Sequence, residues 1–253
     1  MVAASCGLPP RPDISISMEA SPPYHRRMQV DVAAGAALIA EPARAAMLDA
    51  LLDGEPRSAG ALAREAGIAA STASHHLGRL LDAGLVVMAP DGRRRAYRLA
   101  RPEVARALEA LALISPPRTP NTLRRHTRAQ AERAARTCYD HLAGVLGVAV
   151  CDALLARGAI APDGEYAYAL GPGADAAFDG LGVDLPPRGR RAYARPCIDW
   201  SERRPHLAGA LGAAVADALL ARGWVARVPG TRALRVSDAG RAGLREALAL
   251  EIA

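Results

Sequence analysis

Residues 58–98, SAGALAREAGIAASTASHHLGRLLDAGLVVMAPDGRRRAYR, decide the fold of the N-terminal part of this chain. Ser58 can accept a hydrogen bond from a free backbone N–H at the start of a first short helix. Gly67 follows that helix, at the position where a left-handed residue commonly ends one. Apolar residues at helical spacing then predict a second helix from about Ser71 to Ala83, which Gly84 ends.

A hairpin is predicted directly after the second helix. Leu85–Met88 is apolar and β-prone, Asp91-Gly92 is a two-residue turn signal, and Arg95–Leu99 returns as the second strand. Two helices joined by a glycine turn and followed by a hairpin are the order of a winged helix-turn-helix. Because that fold places its second helix in the major groove, the segment predicts double-stranded DNA as a partner.

The polar face of the second helix and the hairpin supply the candidate DNA-binding residues. Short hydroxyl side chains can reach base edges or phosphates, and imidazole and guanidinium groups extend further, to phosphate oxygens or guanine acceptors. Three adjacent arginines at the hairpin tip suit the DNA backbone or the minor groove. The candidates are Ser71, Thr72, Ser74, His75, His76 and Arg79 on the helix, and Arg93, Arg94, Arg95 and Tyr97 on the hairpin.

Two motifs, STASHHL at Ser71–Leu77 and DAGLV at Asp82–Val86, resemble those of the ArsR family of bacterial winged-helix repressors. The upstream segment LIAEPAR, Leu38–Arg44, is similar to the opening of that family, in which a helix start follows a proline. The resemblance covers residues 30–114. It implies a homodimer built from the first and last helices of this region, and a repressor that an effector releases from DNA.

The sequence departs from the family at its base-reading and metal positions. Family members often carry polar residues where Ala69 and Ala70 stand, so their base readout is not carried over to this chain. The family's metal sites use cysteines on the helix before the recognition helix, or Asp and His ligands on the last helix. Segments 59–65 and 103–111 hold neither set, so a sensor is expected elsewhere in the chain.

The composition is typical of a globular protein, and its net positive charge is compatible with a nucleic-acid partner. The 253 residues carry a net charge of +6 at pH 7, and 51% of them are hydrophobic, enough for one or two buried cores. Prolines within 115–120 break the chain. The predicted organisation is a disordered leader over residues 1–29, a winged-helix domain over 30–115 and a C-terminal effector and dimer domain over 116–253.

No stretch of the chain is typical of secretion or of membrane insertion. The first 29 residues lack a continuous apolar core, and no apolar run reaches the roughly 18 residues that a transmembrane helix needs. A cytoplasmic location is therefore expected, with no membrane partner and with reduced cysteines.

The C-terminal half contains an internal repeat. Residues 141–158, HLAGVLGVAVCDALLARG, and residues 206–223, HLAGALGAAVADALLARG, are identical at 15 of 18 positions. After each copy come turn residues between two short β-prone segments, and then a short helical pattern. The predicted fold is mainly α with short β-hairpins: a winged helix-turn-helix followed by two repeated helix–hairpin–helix units, packed as a pseudo-symmetric pair.

A cysteine, an aspartate and a histidine occur near the start of each repeated helix. If the repeats pair, Cys138, His141, Cys197 and His206 could converge, and two thiolates with two imidazoles suit a divalent or soft metal ion. Three interpretations remain open: metal or thiol sensing at these residues, a small-molecule effector near Trp200 and Tyr139, or a structural role. In the structural interpretation, Asp140 and Asp199 hold the histidines.

The leading hypothesis is a sequence-specific, homodimeric repressor whose DNA affinity is set by an effector at the C-terminal domain. The alternative is an enzyme tethered by its winged helix, with the Cys-Asp-His clusters as thiol nucleophiles. No glycine-rich phosphate loop, nucleophile elbow or metalloprotease helix supports the alternative. We therefore expect no catalytic residues and no enzyme activity.

Overall fold

The computed structural model describes residues 30–91, 94–117, 120 and 122–252. The predicted disordered leader over residues 1–29 and Arg93 at the predicted hairpin tip lie outside these described residues. Within the described part of the chain, no helix combines the length and the apolar character needed to span a membrane.

The N-terminal elements, the winged-helix region, comprise five helices and a small antiparallel sheet. The helices are α1 (Val32–Ala40), α2 (Pro42–Ala50), α3 (Ala59–Ala66), α4 (Ala70–Asp82) and α5 (Pro102–Ile114); the strands are β1 (Arg57–Ser58), β2 (Val86–Asp91) and β3 (Arg94–Leu99). The strand order is β1-β3-β2. Helix α3, a turn, helix α4 and the β2–β3 hairpin follow one another as in a winged helix-turn-helix.

Local signals set the ends of the two central helices. The Ser58 hydroxyl accepts a hydrogen bond from the Ala61 N–H at 3.3 Å, and Gly67 ends α3 at φ +67°. Helix α4 begins at Ala70, one residue before the predicted start, and its N-cap Ala69 supplies no side-chain bond. The β2–β3 register pairs Asp91 with Arg94, so the connecting residues are 92 and 93, one position later than predicted.

The core of the winged-helix region lies between α2, α3, α4 and the sheet. Ala73, Leu77 and Leu80 of α4 are buried, while Leu81 is only partly so. They pack in one cluster with α2 and α3, whose buried members include Met47, Leu48, Leu51, Leu62 and Ala63. Burying this apolar stripe fixes which face of α4 is left for solvent.

The C-terminal elements, the repeat region, follow the connecting helix α6 (Leu123–Ala134) and fall into two similar halves. The first half contains β4 (Arg136–Cys138), β5 (His141–Ala143), α7 (Gly144–Ala156), β6 (Ile160–Pro162), β7 (Tyr168–Leu170) and α8 (Ala174–Leu181). The second contains β8 (Arg195–Ile198), β9 (Pro205–Ala208), α9 (Gly209–Ala221), β10 (Val225–Arg227), β11 (Leu234–Val236) and α10 (Asp238–Leu248).

Each half differs from the predicted helix–hairpin–helix order by one additional hairpin at its start. The histidines of the repeated segments lie on strands β5 and β9, and the helices begin only at Gly144 and Gly209. These glycines adopt φ values of +73° and +92°, a left-handed conformation that turns the chain from strand into helix. In each repeat, the Leu-Ala-Gly segment therefore contains the last two residues of a strand and the first residue of a helix.

The two halves contact each other reciprocally at the first hairpins. Helix α7 packs on β9, and α9 packs on β5. A Cβ atom placed on Gly147 would lie 3.6 Å from the Cβ of His206, and one placed on Gly212 would lie 3.3 Å from the Cβ of His141. The small residues of each repeated helix thus admit the histidine-bearing strand of the other half.

Candidate functional site

The outward face of α4 carries most of the predicted DNA-binding residues. Ser71, Thr72, Ser74, His75 and Arg79 are exposed. The Ser74 hydroxyl donates to the Ala70 carbonyl at 3.0 Å, within its own helix. The other polar side chains stand on a surface that no described element covers.

His76 differs from its neighbours because it turns toward α2. Its side chain is only 14% exposed, and its Nδ1 lies 3.5 Å from a carboxylate oxygen of Glu41 and 3.5 Å from the Arg44 guanidinium. The hydrogen bond from the Arg44 backbone N–H lowers the pKa of Glu41, which caps α2. His76 therefore ties the recognition helix to the start of α2, and this contact competes with a direct role in DNA binding.

The hairpin candidates divide by position. Arg95 is exposed on β3, and the strand register places Arg94, the first residue of β3, opposite Asp91. Tyr97 is half-buried, lies opposite Met88 and packs against the winged-helix core. Of the two hairpin candidates whose side chains the structure describes, Arg95 has the exposure that a DNA contact requires, and Tyr97 supports the sheet.

The four-donor cluster, Cys138, His141, Cys197 and His206, comes together between the two halves of the repeat region. Strand pairing places Cys138 opposite His141 and Cys197 opposite His206. The two Sγ atoms are 4.0 Å apart, the two Nε2 atoms are 3.2 Å apart, and all four donor atoms lie within 4.8 Å of one another. Three of the residues are buried and Cys197 is partly buried.

A carboxylate lies beside the far nitrogen of each histidine. His141 Nδ1 lies 3.1 Å from Asp140, which also pairs with Arg191 at 2.7 Å. His206 Nδ1 lies 3.4 Å from Asp199. These contacts point both Nε2 atoms into the cluster.

Asp199, which is fully buried, is the centre of a network of hydrogen bonds. Its carboxylate accepts hydrogen bonds from the Arg136 guanidinium at 2.9 Å, from the Gly144 N–H at 2.7 Å and from the Ser201 hydroxyl at 2.7 Å. Arg136, itself fully buried, stacks on Trp200 at 4.5 Å. Burial raises the pKa of Asp199, but the contacts with His206, Arg136 and Ser201 outweigh it, and the net pKa is well below the ordinary value.

Arg136 is the residue of this network that the sequence does not indicate, and Asp199 is indicated only as the partner of a histidine. Arg136 lies in an arginine-rich stretch, and nothing local distinguishes a buried arginine from its solvated neighbours. The aspartate close to each cysteine is the only sequence signal for this network, and it predicts a partner for histidine alone.

The two thiols share one hydrogen bond and therefore differ in acidity. The Cys138 thiol donates this hydrogen bond to Cys197, and the donation, together with burial, raises the pKa of Cys138. The Cys197 sulfur accepts that hydrogen bond, and this contact, together with those from His141 and His206, lowers the pKa of Cys197. Burial disfavours the charged form of His206, but Asp199 and Cys197 outweigh it and raise the pKa of this imidazole. A thiolate at Cys197, the form that binds metal ions, is thus favoured.

The cluster lies against the winged-helix region. The Tyr139 N–H donates to the Leu52 carbonyl at 2.7 Å, just beyond α2. A cavity of about 20 Å³ lies between the cluster and the first turns of α5, at Pro102, Ala105 and Arg106. Its size suits one water molecule or one ion.

A buried ion pair makes a second connection between the two regions. Arg232, beside strand β11, donates to Glu109 of α5 at 2.6 Å and lies 3.3 Å from Asp49 of α2. Glu109 and Arg232 are both buried. The repeat region therefore contacts α2 and α5, two helices of the winged-helix region.

Comparison with known proteins gives matches along most of the chain. A family model described as a helix-turn-helix domain matches residues 39–89. The HTH-type transcriptional regulator YdfF of Bacillus subtilis is 37% identical over 227 residues, which cover 89% of this chain and 100% of YdfF. The HTH-type transcriptional regulator CmtR of Mycobacterium tuberculosis is 42% identical over 76 residues, 30% of this chain and 64% of CmtR.

Among solved structures, one described as the cadmium metal-sensor CmtR from Mycobacterium tuberculosis shares 34% sequence identity with this chain. The match covers 36% of this chain and 100% of that one, with a TM-score of 0.30.

Proposed function

The chain belongs to the helix-turn-helix transcriptional regulators, and from this premise we propose that it is a homodimeric repressor whose DNA affinity is set by an effector in its repeat region. The observation that carries the DNA-binding role is the exposed face of α4, with Ser71, Thr72, Ser74, His75 and Arg79. In this mode the N-terminal part of the recognition helix lies in the major groove, and the hairpin contacts the adjacent backbone.

The proposed dimer rests on apolar surface at the first and last helices of the winged-helix region. Helix α1 contains no polar side chain and no buried residue. At the end of α5, Leu111 is 40% exposed and Ile114 is 82% exposed. An apolar helix left in water is unfavourable, so a second copy of the chain is the proposed cover. Two copies would present their α4 helices to successive major grooves of a pseudo-palindromic site.

We expect the substitution Ile114→Asp to weaken dimerisation at least tenfold, because it places a charge on the proposed apolar contact. The dimer dissociation constant would be measured by sedimentation velocity over a range of concentrations. Leu123→Asp on α6 is the matched control, since Leu123 is also 82% exposed but lies outside the proposed contact. Equal dissociation constants for the two variants would exclude α5 from the interface.

We expect Arg95→Ala to weaken binding about equally on all DNA sequences and to reduce the salt slope of log K by about one, because one phosphate contact is lost. Fluorescence anisotropy at several salt concentrations measures this, using a duplex selected by the protein from a random library. Arg157→Ala, at the exposed end of α7, removes the same charge from the repeat region. A salt slope that falls equally in both variants would contradict the wing assignment.

The proposed effector role of the repeat region is supported by its contacts with the end of α2 and with α5. The Tyr139–Leu52 hydrogen bond and the Arg232–Glu109 ion pair connect it to both helices. A ligand that changes the arrangement of the two repeats would therefore also bias the position of α5, and with it the spacing of the two recognition helices. The measurement is DNA affinity with and without the ligand.

A further inference from the structure

The four-donor cluster takes two donors from each half of the repeat region. We propose that the cluster binds one tetrahedral metal ion of the zinc type, and that this ion is the effector of the repeat region. The second part of this proposal rests on the proposed function above; the first part stands on the geometry of the cluster alone.

The separation of the two sulfurs and that of the two nitrogens match a single tetrahedral ion. Zinc binds thiolate sulfur at about 2.3 Å and imidazole nitrogen at about 2.0–2.1 Å. A regular tetrahedron with these bond lengths separates two sulfurs by about 3.8 Å and two nitrogens by about 3.3 Å. The observed separations are 4.0 Å for the sulfurs and 3.2 Å for the nitrogens. These two separations agree with the tetrahedral values to within about 0.2 Å. The sulfur–nitrogen separations, which lie within 4.8 Å, would close to about 3.6 Å around the ion.

The two histidines face each other in a way that calls for a positive charge between them. When a neutral imidazole donates its Nδ1–H to a carboxylate, its Nε2 carries only a lone pair. His141 Nδ1 is hydrogen-bonded to Asp140, and His206 Nδ1 lies 3.4 Å from the Asp199 carboxylate, the nearest acceptor for its N–H. In that tautomer two lone pairs oppose each other at 3.2 Å, and a proton or a metal cation must lie between them.

The surroundings of the cluster are also those of a metal site. Histidine ligands of metal ions usually donate their second N–H to a carboxylate, which fixes the tautomer and orients the ring. Asp199 is itself held by the buried Arg136, and Asp140 is held by Arg191. Both histidines therefore have carboxylates that are fixed in place before any ion binds.

The donor set selects the class of ion. Two thiolates with two imidazoles in tetrahedral geometry favour zinc, whereas calcium and magnesium prefer oxygen ligands. The cysteines and histidines occur as C-x2-H in the first half and C-x8-H in the second. The longer spacing is accommodated by a longer hairpin connection, because Cys197 still pairs with His206.

An ion at this point would act on both hairpins and on the winged helix. It would join β4–β5 to β8–β9, next to the cavity that separates the cluster from α5. Tyr139, directly after the ligand Cys138, is bonded to Leu52 beyond α2. A shift of the cluster on metal binding would therefore act directly on the winged-helix region, which contains the proposed dimer helix α5.

Metal titration of the whole chain tests the site without any DNA. The protein is purified under reducing conditions, freed of metal with a chelator and titrated with Co²⁺ and then with Zn²⁺. We expect one Co²⁺ per chain, with thiolate charge-transfer bands and the strong visible bands of tetrahedral Co²⁺, and we expect Zn²⁺ to displace it. Absence of a stoichiometric site in the reduced chain would overturn the proposal.

Substitutions then assign the ligands. Cys197→Ser should lower the Zn²⁺ affinity by at least about 100-fold, and Asp140→Asn should lower it by about 10-fold through the orientation of His141. Cys151→Ala is the control: this buried cysteine lies on α7 beside Tyr168, and the equivalent residue of the second repeat is Ala216. Unchanged affinity in Cys197→Ser would overturn the site. The site would also be overturned if the reduced chain binds no Zn²⁺ and a Cys138–Cys197 disulfide forms in air. That result would identify a redox-active thiol pair instead of a metal site.

DNA binding tests the effector role separately. We expect the affinity for the selected duplex to differ at least about fivefold between Zn²⁺-loaded and chelator-treated protein, and this difference to vanish in Cys197→Ser. Equal affinities in the unsubstituted chain would overturn the effector role. If neither form binds any duplex while Zn²⁺ still binds, the proposed function fails and the metal site stands.

Discussion

The substitution Asp199→Ala is expected to destabilise the folded protein by about 3–5 kcal/mol, the range for removing one partner of a buried ion pair. Arg136 and Asp199 are both fully buried, so the guanidinium would be left without its counter-charge in a low-dielectric environment. The Gly144 N–H and the Ser201 hydroxyl would lose their acceptor as well. Urea unfolding in the presence of chelator and reductant measures the effect.

A surface ion pair supplies the control for this prediction. Asp152 and Arg204 lie 2.8 Å apart with side chains 38% and 60% exposed, so Asp152→Ala should cost less than about 1 kcal/mol. The double variant Asp199→Ala with Arg136→Met should recover part of the lost stability, because it removes the unpaired charge. If Asp199→Ala costs no more than Asp152→Ala, the network does not hold the two repeats together.

The substitution His75→Glu is expected to reduce affinity for the selected duplex on the order of 100-fold, or about 2.8 kcal/mol. His75 is exposed on the recognition helix. A carboxylate there would lose any base or phosphate contact, each worth about 1–3 kcal/mol, and would face the phosphates with the same charge. Fluorescence anisotropy at fixed salt concentration gives the ratio of dissociation constants.

Tyr166→Glu is the matched control for the charge change. Tyr166 is 74% exposed between β6 and β7 of the repeat region, and the substitution also adds one negative charge. It should alter DNA affinity only slightly, because an exposed charge beyond the Debye length of about 10 Å is screened. Equal losses in the two variants would show that α4 does not lie against DNA.

Local sequence signals predict α3 and α4 to within about one residue. Ser58 and Gly67 act on helix ends within a few residues of themselves, and the apolar spacing of α4 describes one face of one helix. Such signals are local, so they can be recognised before any tertiary contact is known. His76 shows the limit: its position on α4 predicted exposure, but Glu41 and Arg44, more than 30 residues away, turn it inward.

The sequence also identified the four donor residues, but only the tertiary structure decided that they meet. The cysteine and the histidine are separated by different numbers of residues in the two halves. Strand pairing nevertheless places Cys138 opposite His141 and Cys197 opposite His206, and these strands are too short to be recognised from a sequence pattern. The contacts across the cluster join residues 59 and 65 positions apart, and the Arg136–Asp199 pair joins residues 63 apart. Strand register and the packing of one repeat on the other depend on these long-range contacts, which local periodicity does not encode.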